Sequence, residues 1–183
     1  MQFGLVGSEM CIRDRCMVEC GDADAMVTGN TRRYSQSLKK ITKVIDARPG
    51  EIMFGLNMVV SKGKTVFIAD TTVHEYPTSK QLAEIAKSAA RVVRLFGFDP
   101  KVAFLSHSTF GQPITSRTKH IIDAVDILKK MNVDFKFDGD MQPDVALNTE
   151  YKDLYPMSEI VGNANVLITV SYTHLTLPTM YTV

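Results

Sequence analysis

Apolar residues follow two different patterns along the interior of this chain. Short unbroken apolar runs predict buried strands, and apolar residues spaced three and four apart predict amphipathic helices. The predicted strands are Ala25–Gly29, Ile52–Val60, Thr65–Ala69, Val102–Leu105, Val133–Phe137 and Asn165–Ile168. The predicted helices are Tyr34–Asp46, Thr78–Phe96, a helix that begins at Ser116 or Thr118, and a short helix at Pro143–Asn148.

The helix after Pro77 carries the clearest signals. Thr78 and Gln81 fit a capping box, in which the hydroxyl and the amide satisfy two backbone N–H groups of the first turn. An apolar stripe and a terminal glycine, Gly97, complete the pattern. The stripe consists of Leu82, Ile85, Ala86, Ala89, Val93 and Phe96. The inward stripe predicted for the next helix is Ile121, Ile122, Val125, Leu128 and Met131.

The order of these elements predicts an α/β fold. Strands that alternate with helices indicate βαβ units, and therefore a parallel sheet covered on both faces. The segment Ser61–Lys64 contains a glycine between two strands and predicts an antiparallel hairpin. We therefore expect a three-layer αβα sandwich with a mixed, mostly parallel sheet.

Both ends of the chain differ in character from the interior. Residues 1–15 show neither period, and the tail from Val170 becomes rich in threonine. Both segments resemble translated sequencing-adapter text, and a natural terminal arm with a β-rich tail is the alternative. We expect residues 1–16 and 170–183 to be non-native, and residues 17–169 to be a truncated domain.

Composition and charge restrict the class of protein. The 183 residues are 45% hydrophobic and 22% charged, which is ordinary for a soluble globular protein. The net charge of +1 gives no reason to expect nucleic acid or a membrane as partner. The three cysteines lie within the first 20 residues, which supports neither a disulfide framework nor a zinc site. We therefore expect a cytoplasmic protein.

Polar residues follow the predicted strands at four places. In open α/β sheets, ligands bind beyond the carboxyl ends of the strands, so these residues could line one crevice. Asp70 is the least secure member, because it follows a strand of the hairpin. The four places are Thr28-Gly29, Asp70-Thr71-Thr72, Ser106–Thr109 with Gly111, and Asp138–Asp140.

The loop from Ser106 to Ser116 admits two interpretations. Its hydroxyls and glycine could hold a phosphate or another anion at the start of the following helix. Serine and threonine also commonly cap helices and occupy turns without any ligand. The loop contains neither a Walker A motif nor a G-x-G-x-x-G motif. His107 lies among three hydroxyls, but we interpret it as a loop residue that faces solvent or bonds to the backbone rather than as a catalytic base.

Other candidate residues are charged. Asp138, Asp140 and Asp144 could bind a divalent ion, but an Asp-Gly pair at a strand end favours a turn. Arg32 and Arg33 could clamp a phosphate or could be exposed arginines at a helix start. As ligand-binding residues we predict Thr28, Gly29, Arg32, Arg33, Ser106, Ser108, Thr109, Gly111, Asp138 and Asp144. We predict no catalytic residue and no metal ligand.

Five blocks in unbroken order resemble the phosphate acetyl/butyryl transferase family. They are Gly21–Gly29, Val66–Asp70, Leu105–Gly111, Phe137–Ala146 and Gly162–Ile168. The resemblance implies a two-lobed αβα sandwich similar to isocitrate dehydrogenases, usually dimeric. The transferases of this family move an acetyl group between coenzyme A and phosphate.

One branch of the family is more similar than the rest. Asp70–Thr78 and Ser108–Pro113 fit the C-terminal, transferase-like domain of NADP-dependent malic enzymes. The transferases have His-Ser-Thr where this chain has Arg32-Arg33-Tyr34, and a Ser-Thr-Lys-Gly loop where it has Phe110. Their Ser-Arg pair lies beyond the position of Thr169. The segment is therefore not expected to catalyse acyl transfer alone.

The resemblance to this branch implies a regulatory domain that senses acetyl-CoA. NADP and a divalent metal, Mg or Mn, would bind in another part of a parent enzyme that converts malate to pyruvate. The parent is expected to be a homo-oligomer. The alternatives are a fragment of a phosphate acetyl/butyryltransferase and a non-catalytic α/β binding module.

Overall fold

The structure is a computed structural model that describes residues 6–29, 33–61, 63–70, 73–74, 76–111 and 116–169. The chain divides into two units, residues 1–50 and residues 51–183. The first unit contains the helices α1 (Val6–Glu19) and α2 (Tyr34–Ile41). The predicted tail 170–183 lies outside the described residues, as do residues 1–5 of the predicted segment 1–16.

The second unit is built on a five-stranded sheet. Its strands are β1 (Leu56–Ser61), β2 (Lys64–Ala69), β3 (Lys101–Leu105), β4 (Lys136–Met141) and β5 (Val166–Ile168). Their order in the sheet is β1-β2-β5-β3-β4. The β1–β2 pair is antiparallel, and the other three pairs are parallel. This is the mixed, mostly parallel sheet that the sequence predicts.

Helices cover both faces of this sheet. On one face, α3 (Ser79–Leu95) and α4 (Ser116–Met131) enclose a core that includes Phe67, Phe104 and Ile168. On the other face, a second core forms beneath α5 (Pro143–Leu147) and the 3-10 helix Thr149–Lys152. Successive residues of a strand point to opposite faces, which is why neighbours such as Phe67 and Ile68 enter different cores. The three layers of the predicted αβα sandwich are therefore present.

The structure confirms the sequence signals around α3. Thr78 and Gln81 form the reciprocal capping box, with Thr78 N donating to Gln81 Oε1 over 2.8 Å. Gly97 follows the helix with a φ of +81°, a backbone conformation that glycine adopts more easily than any other residue. The predicted stripe is fully buried from Leu82 to Val93, whereas Phe96, which follows the last turn, is 56% exposed.

Several predicted elements differ from the structure. Residues 25–29 form no strand, because the run is short and Val27 is fully exposed to solvent. α2 ends at Ile41 instead of Asp46, and α1 forms where the sequence shows no helical period. Met131, predicted to point inward, lies in the last turn of α4 and is 44% exposed. Among the described residues, no helix has the length and apolar character needed to cross a membrane.

Candidate functional site

The loop Ser106–Gly111 leaves the carboxyl end of β3 and lies against the neighbouring strand β4. The two strands are parallel, so their carboxyl ends reach the same edge of the sheet. β2 and β5 end at that edge too, which places Asp70 there although it follows a hairpin strand. This edge is where ligands bind in open α/β sheets.

The Asp138-Gly139-Asp140 segment lies inside β4, which corrects the prediction of a turn at its strand end. Phe104 is paired with Gly139 and Leu105 with Met141, so Asp140 is the extra residue of a β-bulge. A Cβ on Gly139 would lie 2.7 Å from Phe104 Cβ. Glycine is therefore required here for close approach of two strands rather than for a turn. A bulge changes the direction of a side chain relative to the sheet.

Asp140 binds the loop through both its side chain and its backbone. Its Oδ2 accepts a hydrogen bond from Ser108 Oγ, and its Oδ1 accepts one from Gly111 N at 2.9 Å. Its backbone oxygen accepts from Phe110 N at 2.7 Å. Asp140 and Ser108 are each 1% exposed. A buried carboxylate destabilises the folded state unless it is paired or hydrogen-bonded. Here the loop supplies the hydrogen-bond donors.

The remaining polar groups of the loop bond to one another and to the start of α5. Ser106 Oγ and Ser108 Oγ are 3.1 Å apart, and Ser108 N donates to Ser106 Oγ over 3.3 Å. Gln142 Nε2 donates to the backbone oxygen of His107 over 2.8 Å. Phe110 has a φ of +50°, which is uncommon for a residue with a side chain. Such outliers often occur at functional sites.

A pocket of about 530 Å³ opens between the loop and α5. This volume is within the range of sites for small molecules, about 300–1,000 Å³. The rings of Phe110 and Tyr155 are 5.3 Å apart in its wall. Their faces are apolar, and Asp144 adds a carboxylate. The pocket is lined by Thr109, Phe110, Gln142, Asp144, Val145, Tyr151 and Tyr155.

The structure brings together part of the predicted site. Ser106, Ser108 and Gly111 lie in one hydrogen-bonded loop, and Thr109 and Asp144 line the pocket beside it. Asp138 is half-buried on β4, where its Oδ1 accepts from Gly139 N at 2.9 Å.

The other predicted ligand residues belong to the first unit. Thr28, Gly29 and Arg33 are exposed there. Arg32 lies outside the described residues. Their binding to a ligand stays a prediction.

The sequence alone does not single out the residues that organise this edge. It offers Asp140 only as a metal ligand or a turn residue, and it gives Gln142, Tyr151 and Tyr155 no distinguishing signal. A glycine between two aspartates near a strand end is compatible with a bulge as well as a turn. Within the described residues, no group of three or more His, Cys, Asp or Glu side chains could hold a metal ion.

Asp70 has a comparable role at the end of β2. It is 3% exposed, and its carboxylate accepts from Gly55 N at 2.8 Å and from His74 N at 2.9 Å. His74 Nε2 lies 2.8 Å from the backbone oxygen of Met53, within hydrogen-bond distance. Two buried carboxylates, those of Asp70 and Asp140, therefore anchor loops at the same edge of the sheet.

Comparison with known proteins identifies the family. The profile of the family described as "Phosphate acetyl/butaryl transferase" matches residues 11–170. This chain belongs to that family. Among solved structures, a phosphotransacetylase from Streptococcus pyogenes superposes with a TM-score of 0.79 at 28% sequence identity. The alignment covers 88% of this chain and 50% of that chain.

Relatives of this phosphate acetyltransferase-like domain fall into two groups. An NADP-dependent malic enzyme from Rhizobium meliloti is 46% identical over 152 residues, which are 83% of this chain and 20% of that protein. A phosphate acetyltransferase from Corynebacterium glutamicum is 33% identical over 154 residues, 83% of this chain and 47% of that protein. The chain thus spans about a fifth of the malic enzymes that it matches, in their C-terminal region.

Proposed function

We propose that this chain is part of the acetyl-CoA-sensing regulatory domain of an NADP-dependent malic enzyme. The observation that carries the proposal is that the Rhizobium meliloti NADP-dependent malic enzyme is 46% identical to this chain, whereas the Corynebacterium glutamicum phosphate acetyltransferase is 33% identical. In such a parent enzyme, NADP and a divalent metal, Mg or Mn, would act in a separate malate-oxidising part. The parent would be a cytoplasmic homo-oligomer.

The geometry at the sheet edge supports binding of an acyl-CoA or of phosphate. The pocket offers the aromatic faces of Phe110 and Tyr155 to an apolar group. The Asp144 carboxylate and the Thr109 hydroxyl can accept hydrogen bonds from amide or amino groups, which coenzyme A carries. Inorganic phosphate has no such apolar part, so the pocket favours the larger ligand.

Regulation requires more than binding. Acetyl-CoA can shift the activity of the parent only if it binds two states of the enzyme with different affinity. The Ser106–Gly111 loop is a suitable reporter of such a difference, because it joins the pocket to β4 through the hydrogen bonds of Asp140.

A phosphate acetyltransferase fragment is the second candidate. The solved relatives with this fold include the phosphotransacetylase from Streptococcus pyogenes. This alternative predicts that the complete protein forms acetyl-CoA from acetyl phosphate and coenzyme A at ordinary enzymatic rates. The regulatory proposal predicts no such turnover.

Two measurements test the proposal. Calorimetric titration of the 183-residue chain with acetyl-CoA is expected to show saturable binding, and the absence of binding contradicts it. Regulation is tested in a chimera in which this chain replaces the matching segment of the Rhizobium meliloti malic enzyme. Acetyl-CoA is expected to change its malate-dependent reduction of NADP. A chimera that oxidises malate but does not respond to acetyl-CoA contradicts a regulatory role.

A further inference from the structure

Asp140 is a buried acidic residue that does not line the proposed binding pocket. We propose that Asp140 is the positioning residue of the ligand loop: it fixes Ser106–Gly111 in the shape that forms one wall of the pocket. The inference rests on the proposed function for its ligand, and on the hydrogen bonds of the loop for its mechanism.

Asp140 makes three hydrogen bonds to the loop. The carboxylate binds Ser108 Oγ and Gly111 N, and the backbone oxygen binds Phe110 N. Ser108 and Gly111 lie on either side of Phe110, the residue with positive φ, and the third donor is Phe110 N itself. Asp140 therefore holds the loop at the point where its backbone conformation is least favourable without support.

The bulge explains why Asp140 can reach the loop. It has no partner in the β3–β4 register, since Leu105 pairs with Met141. Gly139 allows β4 to approach Phe104 closely before the bulge. The ladder resumes immediately afterwards, with Ser106 N donating to the backbone oxygen of Met141 over 2.9 Å. The extra residue thus turns a side chain toward the loop without ending the strand pairing.

This arrangement assigns different roles to the hydroxyls of the loop. Ser108 is buried, and its hydroxyl donates its hydrogen bond to Asp140. Ser108 therefore affects the ligand by holding the loop in shape and not by direct contact. Thr109 lines the pocket. Phe110 also lines the pocket, and its ring contacts Tyr155. A change at Asp140 should therefore alter the pocket wall although the residue itself is not among the pocket residues.

The test compares Asp140→Asn and Asp140→Ala with the unaltered chain. The asparagine retains one acceptor for Gly111 N but presents an amide group to Ser108. Ser108→Ala removes the same contact from the loop side, and Asp126→Asn removes an exposed carboxylate of α4 as the matched control. Binding of acetyl-CoA and of inorganic phosphate is measured separately by calorimetry. Hydrogen exchange is measured on the peptides that cover residues 106–111 and α3.

We expect Asp140→Asn to weaken acetyl-CoA binding about tenfold or more, because hydrogen bonds to charged groups are among the strong ones. Exchange should become faster at residues 106–111 and stay unchanged in α3. Ser108→Ala and Asp140→Ala should be non-additive in binding, since they remove the same contact. Asp126→Asn should leave both measurements unchanged.

The outcomes separate this inference from the proposed function. If the unaltered chain binds acetyl-CoA and Asp140→Asn binds it equally well, Asp140 is not a positioning residue. If the unaltered chain binds neither probe, the proposed function is wrong, and hydrogen exchange alone decides the role of Asp140. Unchanged exchange at residues 106–111 in Asp140→Ala, with α3 still protected, overturns the inference.

Discussion

At the scale of single residues, two aspartates and one glycine organise the carboxyl edge of this sheet. Asp70 follows β2 and Asp140 lies in the bulge of β4; both are buried, and both accept hydrogen bonds from backbone N–H groups of loops. Gly139 allows the second of these strands to approach its neighbour closely. The contacts of both carboxylates with loop N–H groups are those of anchors.

Gly139→Ala should be strongly destabilising. The added Cβ would meet Phe104 Cβ at 2.7 Å and Phe104 O at 2.9 Å, and neither atom can move without displacing β3. Overpacking of this kind costs about 1–3 kcal/mol. The measurement is the free energy of unfolding from urea denaturation followed by circular dichroism.

Gly97→Ala is the matched control for this substitution. Gly97 also has a positive φ, but a Cβ added to it would meet no described atom within 4 Å. This variant should therefore lose only about 1–2 kcal/mol of stability, because alanine adopts the positive φ unfavourably. An equal loss of stability in the two variants would show that close packing against Phe104 is not what requires glycine at position 139.

At the scale of elements, α3 shows how local sequence signals and packing agree. Its capping box, its buried stripe and the glycine that follows it are all visible in the sequence. The helix packs over the centre of the sheet, where Leu82, Ile85 and Val93 are fully buried. Most of its stability therefore comes from the core, and the cap contributes a separate, measurable part.

Thr78→Ala should destabilise the second unit by about 1 kcal/mol, because Thr78 Oγ1 accepts from Gln81 N at the start of α3. Thr78→Ser keeps this acceptor and should stay close to the unaltered chain. Urea unfolding of the three proteins measures both effects. A serine variant that is as unstable as the alanine variant would show that the methyl group, and not the cap, is responsible.

Two ion pairs that join an element to a loop should make stability fall in acid. The hydrogen bond from Lys136 lowers the pKa of Glu159 below its ordinary 4.5, and that from Arg94 lowers the pKa of Asp134 below 3.8. Because both carboxyl pKa values are depressed on folding, the stabilisation is present above those ordinary values and is lost as pH falls through the folded ones. Both pairs are exposed, so the effect should be small.

Melting temperatures between about pH 6 and about pH 3 at low salt test this expectation. Glu159→Gln and Asp134→Asn should each lose less stability on acidification than the unaltered chain does. High salt should reduce the difference, because it screens exposed charges. Identical acid profiles for the variants and the unaltered chain would contradict a contribution from these pairs.

At the scale of the whole sheet, β1 is an exposed edge. Among the described residues it pairs only with β2. Five of its six residues are exposed, including Met58, Val59 and Val60. An apolar edge strand is a template for pairing with another chain.

Val60→Lys should therefore reduce self-association of the chain as its concentration is raised. A lysine on an edge strand opposes pairing through its charge and its desolvation cost. Leu95→Lys is the matched control, since Leu95 is 83% exposed at the end of α3 and lies outside the sheet. Light scattering coupled to gel filtration measures the mass. Equal behaviour of both variants would attribute any self-association to general surface hydrophobicity instead of the β1 edge.

The sequence predicts the fold well in segments where a pattern of apolar residues continues over many positions. It predicts the candidate site less well. The α3 stripe and the hairpin follow from local spacing, so they could be recognised without knowing their neighbours. The bulge at Asp140 depends on how β4 pairs with β3. That pairing involves Phe104, which is distant from Asp140 in the sequence, so local spacing does not reveal the bulge. Residues 25–29 show the opposite case, because a short apolar run does not determine a strand without a partner.

The position of β5 has a consequence for the folding of this domain during its synthesis on the ribosome. β5 is the last strand in sequence among the described residues, yet it lies between β2 and β3. Until residues 166–168 have left the exit tunnel, the hairpin and the β3–β4 pair cannot join through backbone hydrogen bonds. In a nascent chain stalled before that point, the β1–β2 hairpin and the β3–β4 pair would be separate, and the edges of β2 and β3 that pair with β5 would be exposed. Chaperones are expected to bind such a state.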